Sequence, residues 1–293
     1  MLGAAYAKAA IDRRILVAKY SVRGQVSSRV RIALFSDLHS TGSVDLAGMA
    51  LRIKPDIIAL AGDMIDDWRS PGDTLARLGE LAKVAPTFYV CGNHESWRRD
   101  RDEVFAALEE AGINVLHNRA VTVDSAGGRV VICGVPDPEF TASTRGSLPF
   151  MSRAPENKSR KLWKTQLCRT ALEADALAEN GEPRILISHR PEYSGNGGLF
   201  SHLPIDIILS GHAHGGHITL PFLPNGLYSS GQGLFPAFSC GLHKITRSES
   251  NDRRGDASPI YHFITRGLDR MFWRPRTFNK RDVVVVDIVP TYN

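Results

Sequence analysis

At 293 residues the chain can build one large domain or two small ones, with ample core either way. Its 43% hydrophobic and 23% charged content are ordinary for a soluble globular protein, and no run reaches the ~18 consecutive apolar residues that a membrane-spanning helix requires. The formal net charge of +5 gives a mild attraction to anionic partners but no strong electrostatic footprint for nucleic acid, so no specific nucleic-acid partner is expected.

Residues 1–29 alternate small, apolar and basic side chains. Lys8 and the Asp12-Arg13-Arg14 cluster interrupt any apolar core of a secretory signal. This segment is expected to form a peripheral helix, packed on the domain or lying on an anionic membrane surface. A domain spanning 30–293 follows it. The four cysteines, Cys91, Cys133, Cys168 and Cys240, form no CxxC pair, and Cys91 and Cys133 stand in apolar runs. They read as small core residues of a reducing compartment, which places the chain in the cytoplasm or at the inner face of the membrane.

From Arg29 the pattern alternates. "RVRIALFSDLH" is a strand, "SVDLAGMALRIK" an amphipathic helix and "PDIIALAGDMID" a second strand. "TLARLGELAKV" is a helix, "PTFYVCGNHES" a third strand, and "DEVFAALEEAG" a helix closed by Gly112. Short strands "INVLHN", "AVTVDS" and "RVVICGV" come next, with Gly127-Gly128 as a hairpin turn. Asp137 to Pro155 reads as a loop and Lys161 to Ala178 as a helix. "RILISHRP", "IDIILSGHAHGG" and the final "DVVVVDIV" are strands, while Thr246 to Ser258 is a charged loop. Strands and helices in alternation, then more strands, specify an α/β fold: a mixed β-sheet sandwich flanked by helices.

Five of the apolar strands end in groups that carry chemistry. Asp37 and His39 follow the first, Asp63 the second, Asn93 and His94 the third, His189 the fourth, and His212 and His214 the fifth. In open α/β sheets the carboxyl ends of strands share one edge, where such folds build sites. A single His at a strand end is most often structural, and a single DxH pair is equally weak. Five such pieces, each after a buried strand, point to metal binding instead. Carboxylate, amide and imidazole without thiolate suit two divalent ions such as Mn, Fe or Zn, and seven ligands are too many for one ion with an open position. No GxSxG elbow and no GxxxxGK[ST] loop is present.

"SDLH", "GDMID", "GNHE", "SHRP" and "GHAHGG" together resemble the five blocks of the calcineurin-like metallophosphoesterase superfamily. "GQGLFPAFSCGLHK", "TRGL" and "RTFNKRDVVVVDI" are similar to its bacterial YkuE/YaeI-like phosphodiesterase branch. The resemblance implies a four-layer fold. It also implies one metal on Asp37, His39 and His214, a second on Asn93, His189 and His212, and Asp63 bridging both. His94 would stand by the leaving-group oxygen as general acid or cationic stabiliser, with Asp66 fixing its tautomer; as a bare residue Asp66 reads equally well as a helix N-cap. The implied reaction is hydrolysis of a phosphodiester or pyrophosphate bond by a metal-bridging hydroxide. The substrate suggested by analogy is lipid-linked, such as UDP-2,3-diacylglucosamine. A phosphomonoesterase or protein phosphatase of the same fold is the alternative, and a non-catalytic metal-binding scaffold a third.

Four positions, at three places in the chain, depart from the family pattern. Glu95 stands where Asp is usual, His217 where the bacterial branch has Gln, and Arg281-Asp282 where Pro-Glu is usual. Among the arginines, Arg98, Arg99 and Arg266 are the candidate substrate contacts. Arg266 opens a basic and aromatic stretch that runs to Arg276 and suits a lipid headgroup or a stacked base.

Overall fold

The computed structural model describes residues 15–141, 157–195, 197–248, 258–269 and 276–291. Its strands in chain order are β1 (Leu16–Gly24), β2 (Val30–Phe35), β3 (Ile57–Leu60), β4 (Thr87–Tyr89), β5 (Ile113–Val115), β6 (Arg119–Ser125), β7 (Gly128–Val135), β8 (Arg184–Ser188), β9 (Ile207–Ser210), β10 (Tyr228–Ser229), β11 (Gly233–Leu234), β12 (Gly241–Ile245), β13 (Ile260–Ile264) and β14 (Asp282–Pro290). The helices are α1 (Leu46–Ile53), α2 (Gly72–Ala82), α3 (Asn93–Trp97), α4 (Arg101–Glu110), α5 (Pro138–Thr141) and α6 (Asn157–Leu177).

Two six-stranded mixed sheets, ordered β1-β14-β2-β3-β4-β5 and β12-β13-β9-β8-β7-β6, pack face to face. Alternation along each strand sends successive residues to opposite faces. Ile32 and Leu34 of β2 therefore enter the layer between the sheets with Ile132, Ile185, Ile187 and Leu209. Ala33 and Phe35 turn the other way and meet Leu46, Met49 and Ile53 of α1, Leu78 of α2 and Leu108 of α4. The outer face of the second sheet, through Val131, Cys133 and Leu186, is covered by Trp163, Leu167 and Ala171 of α6. The result is the expected α/β sandwich in four layers. Because both faces of the central strands are covered, those strands read as continuous apolar runs. Among the described residues no helix is long and apolar enough to cross a membrane.

Local signals set the element ends. The Asp45 side chain caps α1 by accepting from the Gly48 N–H at 2.9 Å, and Lys54 closes it in the left-handed conformation. The β6–β7 hairpin turns where Gly127-Gly128 was expected, with Ser125 opposite Gly128.

The helix expected within residues 1–29 is corrected in its described part. Leu16 to Gly24 is not helical; it pairs in parallel with β14 along its whole length, from Leu16 opposite Asp282 to Gly24 opposite Pro290. As an edge strand it buries only Val22 fully, and Lys19 and Arg23 face away, which blunts a free edge. The inward face is carried by Ala18, Tyr20 and Val22, of which the first two are only half-buried. A helix within 1–14 lies outside the described residues. The loop expected from Asp137 opens instead with α5, and its remainder to Pro155 lies outside the described residues, as does most of the loop from Thr246 to Ser258.

Candidate metal centre

Strands β2, β3 and β4 run parallel in one sheet and β7, β8 and β9 in the other, so their carboxyl ends meet at one edge of the sandwich. There the backbone leaves the strands in an unusual way. Asp37, His39, Asp63, His212 and His214 all adopt the left-handed conformation, with φ of 52°, 47°, 52°, 67° and 48°. Asp and His tolerate this region better than most residues, and strain of this kind gathers at functional sites. The turned loops still bond across: the N–H groups of Asp37, His39 and Ser40 donate to the carbonyls of Gly62, Asp63 and Met64 at 2.9–3.0 Å. Glycine is required where the loops touch, since a Cβ on Gly92 would lie 2.1 Å from Asp63 Oδ1.

These turns bring two groups of ligand atoms together, Asp37 with His39 and His214, and Asp63 with His189 and His212; a third, His39 with Asp66 and His94, overlaps the first. Asp37 Oδ1 is 3.6 Å from His214 Nε2. Asp63 Oδ2 lies 3.3 Å from His189 Nε2 and 3.7 Å from His39 Nε2, so one carboxylate oxygen faces both groups. His212 Nδ1 and His189 Nε2 are 3.1 Å apart. The far nitrogens of two rings are anchored, which aims the near ones inward. His189 Nδ1 pairs with the Ala61 carbonyl at 2.6 Å, and His214 Nδ1 with Asp269 Oδ1 at 3.1 Å. Asn93 stands at the same edge, buried, its Oδ1 without a hydrogen-bond partner among the described residues, as are both ring nitrogens of His39 and Nε2 of His212.

Such orphaned lone pairs are costly in a buried site, and divalent cations would satisfy them. The electrostatics agree. Burial holds His212 and His214 below the usual imidazole range and thus neutral, as ligands must be. Burial would raise Asp63, but His189, His94 and His39 outweigh it and keep its carboxyl well below the usual range. Burial would also lower His189, yet Asp63 and Asp37 push it up to about 10, the mark of a place where positive charge is favoured. All seven expected ligands therefore lie at this edge, and their donor set fits divalent metal ions.

His94 sits beside them, its ring edge-on to His39 at 4.5 Å between centroids. Its Nδ1 pairs with Asp67 Oδ1 at 2.7 Å, and Asp66 Oδ1 is 3.0 Å away, while Nε2 has no hydrogen-bond partner among the described residues. Burial lowers the ring's proton affinity, but Asp63, Asp66 and Asp67 more than compensate and raise it to about 10. The expectation for Asp66 is thus modified. The hydrogen-bonding carboxylate is that of Asp67, and Asp66 lies between His94 and His39, whose Nδ1 is 3.7 Å from it. Asp66 caps no helix, since α2 begins six residues later.

Two of the three arginines proposed as substrate contacts are committed elsewhere. Arg98 is buried, paired with Asp100 and donating to the carbonyls of Asp66 and Arg69, so it braces the loop that carries Asp66. Arg266 pairs with Asp282 at 2.8 Å and faces the last strand. A positive charge in sequence cannot show that its partner is internal. Arg99 is exposed.

Sequence reasoning missed Asp269 and Asp67, and it read Arg276 as the end of a basic stretch for substrate rather than as a partner of Asp269. Arg276 pairs with Asp269 and approaches His214 Nδ1 at 3.3 Å, completing an Arg276–Asp269–His214 chain. None of the three follows an apolar strand, the signal that located the ligands. The departure at Glu95 is also explained. Its longer carboxylate accepts from the N–H groups of Asp63, Ile65 and Gly92, all at 2.9 Å, and so ties two ligand loops together. Glu95→Gln turns an NH2 group against at least one of these donors and is expected to lower stability by about 1–3 kcal/mol. Urea unfolding of the metal-free protein reads this directly, and an unchanged midpoint would remove Glu95 from that role.

A model of the calcineurin-like phosphoesterase family matches residues 30–216. The chain is 28% identical over 202 residues to a transmembrane protein with metallophosphoesterase domain from Bos taurus, covering 64% of this chain and 41% of the bovine one. It is 26% identical over 206 residues to phosphodiesterase YaeI of Escherichia coli, covering 66% and 63%. With an uncharacterized metallophosphoesterase of Bacillus subtilis, YkoQ, it shares 27% identity over 224 residues, covering 73% and 72%. The chain spans less than two thirds of the length of the bovine and E. coli relatives.

Proposed function

Since the chain belongs to the calcineurin-like phosphoesterase family, we propose that it is a two-metal hydrolase of phosphodiester or pyrophosphate bonds. Asp37, His39 and His214 would hold one ion, Asn93, His189 and His212 the other, with Asp63 shared. The observation that carries this reading is the position of Asp63 Oδ2, within 3.7 Å of an imidazole nitrogen of each group. Ions bound there would supply an activated water and neutralise charge on the phosphoryl oxygens.

The chain's own residues do the rest. His94 holds a proton at Nε2, the nitrogen left facing the site once Nδ1 is tied to Asp67, and offers it to the departing oxygen. Asp66 and Asp67 keep that ring charged and oriented. Burial of the ligand set excludes bulk water, so each charge acts in a low-dielectric setting. Diesters are favoured over monoesters on the strength of the E. coli relative, which bears the name phosphodiesterase.

The test is hydrolysis of bis-p-nitrophenyl phosphate and of p-nitrophenyl phosphate by protein stripped with chelator and resupplied with Mn²⁺. Cleavage that is lost on chelation, returns with metal and prefers the diester is expected. A preference for the monoester would make the chain a phosphomonoesterase, and cleavage of neither ester by metal-loaded protein would leave a binding scaffold.

A further inference from the structure

Away from the candidate ligands, one buried histidine joins two of the segments that carry them. His262 lies on β13, fully buried, opposite Ile208 of β9 and two residues from Ile260. The Phe200 ring stands edge-on to it at 5.7 Å between centroids. In such apolar surroundings an imidazole is costly unless both nitrogens are paired, and a phenylalanine would pack there without that demand. Both nitrogens are paired, with Nδ1 2.5 Å from Ser194 Oγ and Nε2 2.8 Å from Ser210 Oγ, and both serines are buried. Burial holds the ring well below the usual imidazole range, so it is neutral, one nitrogen donating and the other accepting. The two hydroxyls therefore take opposite roles, and the three side chains form one directed chain.

The serines stand where two candidate ligands are delivered. Ser194 ends the short turn Glu192–Ser194 that follows His189, and Ser210 closes β9 two residues before His212. Those segments already meet once: Gly211 N–H donates to the His189 carbonyl at 3.1 Å, and His212 Nδ1 lies 3.1 Å from His189 Nε2. His262 ties them a second time, through side chains. The tie matters most for His212. His189 and His214 each have a ring nitrogen anchored on an oxygen, whereas neither ring nitrogen of His212 meets one among the described residues. Its place is set by its backbone, which has a φ of 67° and an N–H that donates to Asp37. A left-handed backbone at a histidine persists only where the surroundings over-determine it. Ser210 supplies part of that constraint, held by His262 at its hydroxyl and by the Thr265 N–H, which donates to its carbonyl at 3.0 Å.

We propose that His262 is a positioning residue: by bridging Ser194 and Ser210 it holds the His189 and His212 segments at the spacing their ion needs, and so sets the affinity of that ion alone. The inference rests on the two-ion reading for what those ligands hold; the bridge itself is a property of the fold. The other ion is spared because its ligands are fixed elsewhere, Asp37 and His39 by backbone bonds to Gly62 and Asp63, and His214 by Asp269.

The experiment is a calorimetric titration of the chelator-stripped full chain with Mn²⁺, which counts the bound ions and gives the affinity of each step. His189→Ala, which removes a ligand outright, identifies the step that belongs to the His189 and His212 ion. The variant under test is Ser194→Ala/Ser210→Ala/His262→Phe. Replacing all three members together leaves none of their polar atoms unpaired, so the unfolding midpoint of the metal-free protein should stay close to wild type. The identified step should weaken by about 10–100-fold, the loss typical of a group that supports a ligand without being one, and the other by less than about threefold. Ser194→Ala alone cuts one link with a smaller perturbation and should weaken the same step, which serves if the triple variant does not fold. Two ions bound as tightly as in wild type, or both weakened alike, overturn the positioning role while the two-ion reading stands. A wild type that takes up one ion or none overturns both.

Discussion

Asp63→Asn is expected to lower diester turnover by about 10³-fold or more, the scale of several kcal/mol of lost charge stabilisation, and to reduce the metal content of the purified protein. The reason is the division of labour between its oxygens. Oδ1 accepts from the His94 N–H at 2.9 Å, a bond that an amide oxygen can keep. Oδ2 faces His39 and His189, and an NH2 group there would point donors at both candidate ions. The variant therefore preserves volume and the α3 connection while removing the oxygen that, among the described residues, faces both ligand groups. Metal analysis and circular dichroism should be read with activity: a folded protein that has lost metal and turnover together supports the shared carboxylate. Full metal content with activity within tenfold of wild type would show that Asp63 is a structural acid.

The different legibility of these residues has physical causes. His189, His212 and Asp63 stood out because a polar group at the end of a fully buried parallel strand is unusual, and parallel strands must deliver their carboxyl ends to one edge. The order of the β2, β3 and β4 blocks was legible for the same reason, as their continuous apolar runs mark strands covered on both sides. Asp269 gave no such signal: "TRGLDR" follows β13 by a loop whose path depends on Gly267, φ 77°, and on the Leu268 N–H bond to the Asp37 carbonyl. Whether Asp66 or Asp67 grips His94 depends on which of two adjacent side chains the loop after β3 turns toward it, a choice that spacing does not encode. Arg98 carries the same charge whether it meets substrate or Asp100. The strand at Leu16–Gly24 was hidden because Leu16 and Val17 are apolar yet exposed while the inward-facing Ala18 and Tyr20 are only half-buried, so hydrophobicity does not follow the period of two that burial does.

His94→Ala should reduce turnover on the order of 10²–10⁴-fold with metal content unchanged, because it removes none of the seven candidate ligands, whereas its Nε2, without a hydrogen-bond partner among the described residues, is the nitrogen placed to meet the leaving group. The size of the loss should depend on the leaving group. A nitrophenolate departs readily without a proton, whereas an alkoxide does not, so the deficit should be larger for a methyl diester than for the bis-p-nitrophenyl ester. That dependence separates a proton donor from a residue that merely shapes the site, which would reduce both substrates equally. Asp67→Asn tests the support of the ring. It retains an oxygen that can accept from Nδ1 but removes the charge, and a loss of about 10–100-fold, typical of a carboxylate orienting a functional histidine, is expected. Asp66 would remain 3.0 Å from the same nitrogen, so Asp67→Asn should be milder than His94→Ala and Asp66→Asn/Asp67→Asn should approach it. If the double variant stays as active as Asp67→Asn alone, Asp66 acts on His39 rather than on His94. The 3.7 Å contact to His39 Nδ1 would then define its role, and the defect of Asp66→Asn should appear in metal retention instead of in the leaving-group dependence.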